Sequence, residues 1–95
     1  MAAYVMAQLN VHDADGFQRY REKVTAIIER YGGKYLVRGG DITQLEETGP
    51  AARVVIIEFP DRASALAWYQ SPDYQAILPL RLNAATGPAA IIDGV

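Results

Sequence analysis

The stretch Arg53–Phe59, which reads RVVIIEF, constrains the fold more than any other part of this sequence. Its run of valine and isoleucine, closed by phenylalanine, predicts a β-strand, because β-branched and aromatic side chains pack well on a pleated surface. Successive side chains of a strand point to opposite faces of the sheet, and here both faces are largely apolar. Residues 3–9, AYVMAQL, have the same property. We therefore predict two central strands whose sheet needs an apolar cover on both sides.

Between these two strands lies the clearest helical pattern in the sequence. Apolar residues recur there at steps of three and four, which places them along one stripe of a helix. They are Phe17, Tyr20, Val24, Ile27, Ile28 and Tyr31. Asp13 or Asp15 can cap the start of this helix, because a carboxylate accepts hydrogen bonds from the free amides of the first turn. Gly32 and Gly33 are expected to end it, since glycine adopts the left-handed cap conformation without steric penalty.

A second helical region begins after the strand Arg53–Phe59, with Asp61 as its expected cap. The sequence Ser71-Pro72-Asp73 then restarts a helix. Serine caps this piece, proline at the first helical position loses no hydrogen bond, and aspartate suits the positive end of the helix dipole. Pro79 is expected to kink or end it, because proline has no N–H to donate within a helix.

Residues 34–46, KYLVRGGDITQLE, resemble one long strand that is interrupted in the middle. The alternation of apolar and polar side chains breaks at Gly39 and Gly40 and then resumes. An extra residue in a strand often needs a positive φ, which glycine tolerates. This glycine pair therefore predicts a β-bulge that bends the strand.

The same segment suggests a binding site. With a turn at Gly49–Pro50, hairpin pairing sets Leu45 opposite Val54 and brings Arg38 close to Glu58. One hypothesis is that Arg38 and Glu58 point into an enclosed interior and bind a small polar or acidic ligand. The alternative is a plain ion pair at the end of the sheet, which would contribute ~0–1 kcal/mol if exposed.

The order of elements predicts the fold. Gly87 and Pro88 break the chain, and residues 89–95, AAIIDGV, predict a final short strand. The resulting order is β-α-β-β-α-β, and a ferredoxin-like plait satisfies the short, right-handed connection rules most simply. We expect an α+β protein, one domain over residues 1–95, with a four-stranded antiparallel sheet and both helices on one face.

Helices on one face leave the other face of this sheet uncovered. Leaving several hundred Å² of such side chains in water would forgo ~10 kcal/mol, which rivals the whole stability of a small domain. We therefore predict a homodimer that packs sheet against sheet and encloses a barrel-like interior. The alternative is that residues 71–88 of the same chain cover the second face.

Composition excludes several classes of function. The chain has no cysteine, which excludes disulfides and thiolate chemistry, and its single His12 excludes sites that need two imidazoles. The net charge of −2 and scattered cations argue against nucleic-acid binding. No apolar stretch approaches the ~20 residues of a membrane helix, and residues 1–15 do not read as a secretion signal. We expect a cytoplasmic protein that binds neither membrane nor nucleic acid and has no metal or cofactor.

Three further side chains are candidates for a pocket. His12, between the first strand and the first helix, could act as an acid–base group, or it is a solvated loop residue. Trp68 and Tyr74 lie in the sequence AWYQSPDYQ and could form the wall of a pocket. The alternative is that they are core or interface anchors, as aromatic residues of small domains usually are.

Three stretches together resemble a known family, the domain of unknown function 1330. They are YLVRGG at residues 35–40, VVIIEFPDRASALAWYQSPDYQ at residues 54–75, and LRLNAA at residues 80–85. The resemblance covers nearly the whole chain and implies a ferredoxin-like fold of the dimeric α+β barrel kind. The residues at the family's characteristic positions are Arg38, Gly39, Gly40, Glu58, Trp68, Ser71, Pro72 and Tyr74.

Two functions remain open at this point. Related dimeric α+β barrels include cofactor-independent enzymes that use the barrel interior as a pocket, which implies a small-molecule enzyme. The alternative is a non-catalytic metabolite-binding or stress-response module. Fold analogy alone does not decide between the two, and the sequence predicts no catalytic residue.

Overall fold

The computed structural model of the chain describes residues 1–47 and 53–95. These parts contain three α-helices and five β-strands. The elements are β1 Ala3–Val11, α1 Ala14–Arg30, β2 Lys34–Arg38, β3 Arg53–Phe59, α2 Arg62–Gln70, α3 Pro72–Ala84, β4 Ala85–Thr86 and β5 Ala89–Asp93.

The strands form one antiparallel sheet with β1 in the middle. β1 pairs with β3 on one side and with β5 on the other, and β2 pairs with the far edge of β3. The two-residue strand β4, which the sequence did not predict, pairs with the end of β1. The helices lie on one face of the sheet, so the predicted α+β, ferredoxin-like fold is confirmed.

The helix caps lie where the sequence predicts them. The side-chain Oδ1 of Asp13 accepts from the Gly16 N–H at 3.1 Å, and that of Asp61 accepts from the Ser64 N–H at 2.7 Å. Ser71 Oγ accepts from the Tyr74 N–H at 3.1 Å at the start of α3. The predicted apolar stripe of α1 is buried apart from Tyr31, which is half-buried at the end of the helix.

Pro79 does not end its helix. α3 continues through Pro79 to Ala84, although the missing N–H removes one hydrogen bond of the helix. Leu78 before the proline and Arg81 and Ala84 after it are buried. This packing on both sides holds the segment helical against the cost of the proline.

The prediction for residues 34–46 is wrong in two respects. β2 ends at Arg38, and residues 39–47 are not in a strand. The irregularity lies between Tyr35 and Val37, where the register of β2 against β3 shifts, rather than at Gly39 and Gly40. Gly39 instead turns the chain away from the sheet with a φ of 68°. The predicted Gly49–Pro50 turn lies outside the described residues.

The outer face of the sheet, opposite the helices, is apolar over Tyr4, Met6, Val54 and Ile56 and carries the Lys34–Glu58 ion pair beside them. Its central residues Tyr4, Met6, Val54 and Ile56 are only half-buried, and Ile92 at one edge is 45 % exposed. Residues 71–88 do not cover this face: most of them form α3, which packs beside α1 on the helical side. That alternative is therefore wrong.

Candidate functional site

A cavity of about 500 Å³ lies between the helices and the inner face of the sheet. Its floor is formed by apolar side chains of β1 and β3, and α1, α2 and α3 contribute aromatic rings and arginines. Those rings and arginines are Phe17, Tyr20, Arg21, Arg62, Trp68, Tyr69, Tyr74 and Arg81. The cavity is within one chain, whereas we expected the ligand space to lie between the sheets of two chains.

The strand irregularity places Arg38 on this cavity. Tyr35 pairs with Ile57 and Arg38 pairs with Val55, and both partners face the helices. Tyr35 and Arg38 are three residues apart, so in a regular strand they would point to opposite faces. The register shift puts both on the inner face, where the Arg38 Cζ lies 4.7 Å from the centre of the Tyr35 ring.

Two further arginines lie near Arg38, and we call Arg21, Arg38 and Arg53 the outer arginine group. The Arg53 Cζ lies 5.2 Å from the centre of the Phe17 ring, and its Nε has no hydrogen-bond partner among residues 1–47 and 53–95. Burial lowers the pKa of Arg53, and the charges of Arg21 and Arg38 act in the same direction. Arg21 and Arg38 are exposed to solvent, whereas Arg53 is half-buried on the cavity wall.

The backbone at Gly39 makes room for this group. A Cβ at Gly39 would lie 2.5 Å from Arg53 Nη1, and the Gly39 N–H donates to the Val54 carbonyl at 2.9 Å. Glycine is therefore favoured at this position for two reasons: the backbone has a positive φ, and the Arg53 guanidinium leaves no room for a Cβ.

Arg81 lies at a second position, on α3. The residue is only 8 % exposed, and its Nε has no hydrogen-bond partner in the described part of the chain. Beside it, the hydroxyls of Tyr20 and Tyr74 form a buried hydrogen bond of 2.8 Å. Burial raises the pKa of both tyrosines above the usual value. The charge of Arg81 acts to lower both, and its hydrogen bond to Tyr74 acts in the same direction, but neither offsets the effect of burial. Both hydroxyls therefore stay protonated at neutral pH.

Trp68 packs against Tyr74. Its ring centre lies 4.2 Å from that of Tyr74, and none of the described residues forms a hydrogen bond with its indole Nε1. Ser71 holds the junction between the two helices, since its Oγ donates to the Trp68 carbonyl at 2.8 Å and accepts from the N–H of Tyr74. Pro72 is the first residue of α3.

The cavity wall is rich in hydrogen-bond donors and cations. Five of the nine Lys and Arg residues line it, and no described Asp or Glu does. Arg62 pairs with Asp93 at 2.8 Å. Within residues 1–47 and 53–95, the outer arginine group and Arg81 have no carboxylate within ion-pair distance. A guanidinium and an indole N–H can only donate, so this wall suits a ligand that accepts hydrogen bonds and carries negative charge.

Two of the predicted pocket residues lie elsewhere. Glu58 pairs with Lys34 in the sheet, where it forms a 3.4 Å ion pair and accepts from the Tyr4 hydroxyl at 3.2 Å. The expected proximity of Arg38 and Glu58 is therefore wrong, because β2 pairs in a different register. His12 is exposed, and its backbone N–H donates to the Ala84 carbonyl at 2.9 Å. Gly40 has nothing within 4 Å of where a side chain would begin.

Sequence reasoning missed four of the arginines that line the cavity: Arg21, Arg53, Arg62 and Arg81. For Arg81 a signal was present: Tyr74, Leu78, Arg81 and Ala84 follow helical spacing and all are buried. A charged residue on an otherwise apolar stripe points to a buried cation. For Arg21 and Arg53 the sequence carries no comparable signal, because their position depends on how β2 and β3 pair.

A protein-family model matches nearly the whole chain. The model described as Domain of unknown function (DUF1330) matches residues 2–95, and the chain belongs to this family. The resemblance noted from the sequence is therefore confirmed. None of the curated proteins matches the chain.

Several solved structures share the fold. A protein of unknown function from Rhodopseudomonas palustris, RPA0582, is 16% identical with a TM-score of 0.77, and the match covers 99% of this chain and 82% of that one. SnoaB from Streptomyces nogalater, a cofactor-independent oxygenase, is 13% identical with a TM-score of 0.70, covering 99% and 93%. A dimeric ferredoxin-like protein of unknown function from Jannaschia sp. CCS1 is 15% identical with a TM-score of 0.66, covering 99% and 100%.

In residues 1–47 and 53–95, no helix has the length and apolar character needed to cross a bilayer. The same residues contain no cluster of three or more His, Cys, Asp or Glu side chains suited to hold a metal ion.

Proposed function

We propose that this member of the DUF1330 family binds a small organic anion in the cavity between its helices and its sheet. The observation that carries the proposal is Arg81, a buried cation with no carboxylate partner among the described residues. Burying an uncompensated charge is costly, and a ligand carboxylate would supply the missing partner. A cavity of about 500 Å³ is in the usual range for small-molecule sites.

Placement of the cations supports a small ligand over nucleic acid. Five of nine cationic residues surround a cavity, whereas phosphate backbones are bound by cations clustered on an open surface. A cytoplasmic location, where small organic anions are abundant, remains part of the proposal.

Whether the ligand is converted or only held is the second part of the proposal. The fold is shared with SnoaB, a cofactor-independent oxygenase, which favours conversion without a bound cofactor. The arginines and protonated tyrosines of the wall suit the stabilisation of a negatively charged intermediate. The alternative is a binding or stress-response module. Mass spectrometry of small molecules that co-purify with the protein, followed by incubation of the identified compound with fresh protein in air, distinguishes turnover from retention.

Binding of a simple aromatic anion tests the first part. We expect 2-naphthoate to bind more tightly than neutral 2-naphthamide in isothermal titration calorimetry. Arg81→Met should weaken 2-naphthoate binding about tenfold to hundredfold, since a hydrogen bond to a charged group contributes ~1.5–3 kcal/mol. Arg19→Met is the matched control, because Arg19 is exposed on α1 and does not line the cavity. Equal affinity for the acid and the amide would contradict the proposal.

The proposal includes a homodimer formed through the outer face of the sheet. The apolar, half-buried side chains of this face and the dimeric Jannaschia structure support it. Ile56 lies near its centre, paired with Met6 of β1 and Val37 of β2.

A charge at the centre of this face should separate the two copies. In sedimentation velocity at micromolar concentration, we expect the wild type at twice the 10.4 kDa chain mass and Ile56→Lys at the chain mass. Burying an unpaired lysine in an apolar interface is unfavourable by several kcal/mol. Leu82→Lys, on an exposed position of α3, is the control and should remain dimeric. A monomeric wild type, or a dimeric Ile56→Lys variant, would refute the proposed interface.

A further inference from the structure

We infer that Trp68 is a binding residue of this cavity and that its indole N–H donates a hydrogen bond to an oxygen atom of the ligand. This inference rests on the proposed function and adds a second requirement to it. Beside the negative charge that compensates Arg81, the ligand offers an acceptor oxygen to Trp68. The basis is a buried donor on the cavity wall that no described residue satisfies.

The indole nitrogen of Trp68 is buried on the cavity wall. The residue is only 2 % exposed and lines the cavity, yet its Nε1 has no hydrogen-bond partner within residues 1–47 and 53–95. An indole N–H can donate but cannot accept, so only an acceptor atom satisfies it. Buried donors without a partner are rare in folded proteins, because the lost hydrogen bond to water is then not replaced. A ligand oxygen in the cavity supplies the acceptor that the described part of the chain does not.

Packing holds the indole ring in place before a ligand binds. The ring centre of Trp68 lies 5.5 Å from that of Phe59 and 4.2 Å from that of Tyr74. The Oγ of Ser71 donates to the Trp68 carbonyl at 2.8 Å and thereby ties the backbone of Trp68 to the start of α3. Rotation of the ring toward another acceptor would break the aromatic contacts. A donor that is already fixed loses little conformational entropy when the ligand binds.

A packing role alone does not account for the indole nitrogen. A phenylalanine at this position would also pack against Phe59 and Tyr74, and it would bury no polar atom. Trp68 shares its contact with Tyr74 with the other fully buried cation of the wall, since Arg81 lies beside the Tyr74 hydroxyl and hydrogen-bonds to it. Both unsatisfied donors therefore belong to residues that adjoin one tyrosine. The acceptor is an oxygen of the ligand that binds Arg81, either of its negative group or of a separate carbonyl.

Nuclear magnetic resonance of the full chain tests the inference, because Trp68 is the single tryptophan and gives one indole N–H signal. The probes share a naphthalene ring: 2-naphthoate, the keto acid 3-(2-naphthoyl)propionate, neutral 2-naphthamide, and naphthalene itself, which has no acceptor oxygen. We expect at least one of the two acids to move the indole proton downfield. The same acid should slow the exchange of that proton with solvent about fivefold to tenfold relative to the naphthalene-bound protein, as one net hydrogen bond would. An effect of 2-naphthoate identifies the negative group as the acceptor, and an effect of the keto acid alone identifies a separate carbonyl.

Trp68→Phe tests the same contact by calorimetry. The variant keeps an apolar ring and removes the N–H, so it should weaken binding of the acid that moves the indole signal at least about threefold and leave the affinity for naphthalene within about twofold. A purely structural role of Trp68 would weaken both. Tyr31→Phe is the matched control, because Tyr31 is a half-buried aromatic residue that does not line the cavity. If Trp68→Phe does not fold, the exchange measurement on the wild type decides alone.

The outcomes separate the two claims. If an acid binds more tightly than 2-naphthamide but the indole signal responds no more than it does to naphthalene, the inference is overturned and the proposed function stands. If neither acid binds more tightly than the amide, the proposed function itself fails. A response of the indole signal to the amide would then keep the donor role of Trp68 with a neutral ligand, and the lack of any response would overturn that role as well.

Discussion

Gly87→Ala is expected to destabilise the folded chain by about 3 kcal/mol or more, through backbone strain and a backbone overlap together. Gly87 joins β4 and β5 and has a φ of 136°, which L side chains rarely adopt. A Cβ at this position would overlap the Gln8 carbonyl oxygen of β1. The neighbouring N–H of Gln8 donates to the Pro88 carbonyl at 3.0 Å, so the chain cannot move away without breaking the edge of the central strand.

Urea unfolding followed by circular dichroism measures this effect. Gly40→Ala is the matched control, because no atom lies within 4 Å of its added Cβ and its φ is not in the positive range. That variant should be neutral or up to about 1 kcal/mol more stable, since alanine restricts the unfolded chain. If Gly87→Ala and Gly40→Ala unfold at the same urea concentration, the close approach of Gly87 to Gln8 is wrong.

The parts of the fold that local sequence determines were predictable. Asp13, Asp61 and Ser71 cap helices because a side-chain oxygen satisfies amides that are only three residues away. The strand Arg53–Phe59 has the predicted bounds because its β-branched run is uninterrupted. The apolar stripe of α1 follows from periodicity alone.

The path of β2 was not predictable in the same way. We predicted a bulge at Gly39 and Gly40 because glycine tolerates a positive φ. The register shift instead falls between Tyr35 and Val37, where the sequence has no glycine or proline. Its position depends on which residues of β3 lie opposite, and that is a tertiary property. The same tertiary pairing sets Lys34 opposite Glu58 and Arg38 opposite Val55, so Arg38 does not lie close to Glu58.

The candidate site was also only partly predictable from the sequence. Arg38, Trp68 and Tyr74, proposed from the sequence, do line one cavity, while His12 and Glu58 do not. Their role in binding stays a proposal. The other arginines that line the cavity come from separate elements, α1, β3, α2 and α3, and no motif links them in the sequence.

Arg81→Met is expected to stabilise the ligand-free protein by about 1–3 kcal/mol while removing its response to an anion. Arg81 is buried beside the Tyr20–Tyr74 hydroxyl pair without a carboxylate partner in the described part of the chain. Replacing a buried ion pair with apolar side chains of similar volume is often neutral or stabilising by ~1–4 kcal/mol, and a buried charge without a carboxylate partner has less Coulomb attraction to lose. A residue that is kept for binding and lowers the stability of the folded protein should show both effects when it is replaced: higher stability without ligand and a lost response to the anion.

Thermal and urea unfolding, each with and without 2-naphthoate, measure both halves of this prediction. The wild type should gain stability with the anion, by about 2.7 kcal/mol at a hundredfold excess over its dissociation constant, and Arg81→Met should gain far less. Arg19→Met should change neither quantity by more than about 0.5 kcal/mol, as an exposed control. A ligand-free Arg81→Met protein that is less stable than the wild type would show that Arg81 supports the tyrosine pair structurally. The buried guanidinium would then be explained without a ligand, and the case for an anion at this position would have to rest on the outer arginine group alone.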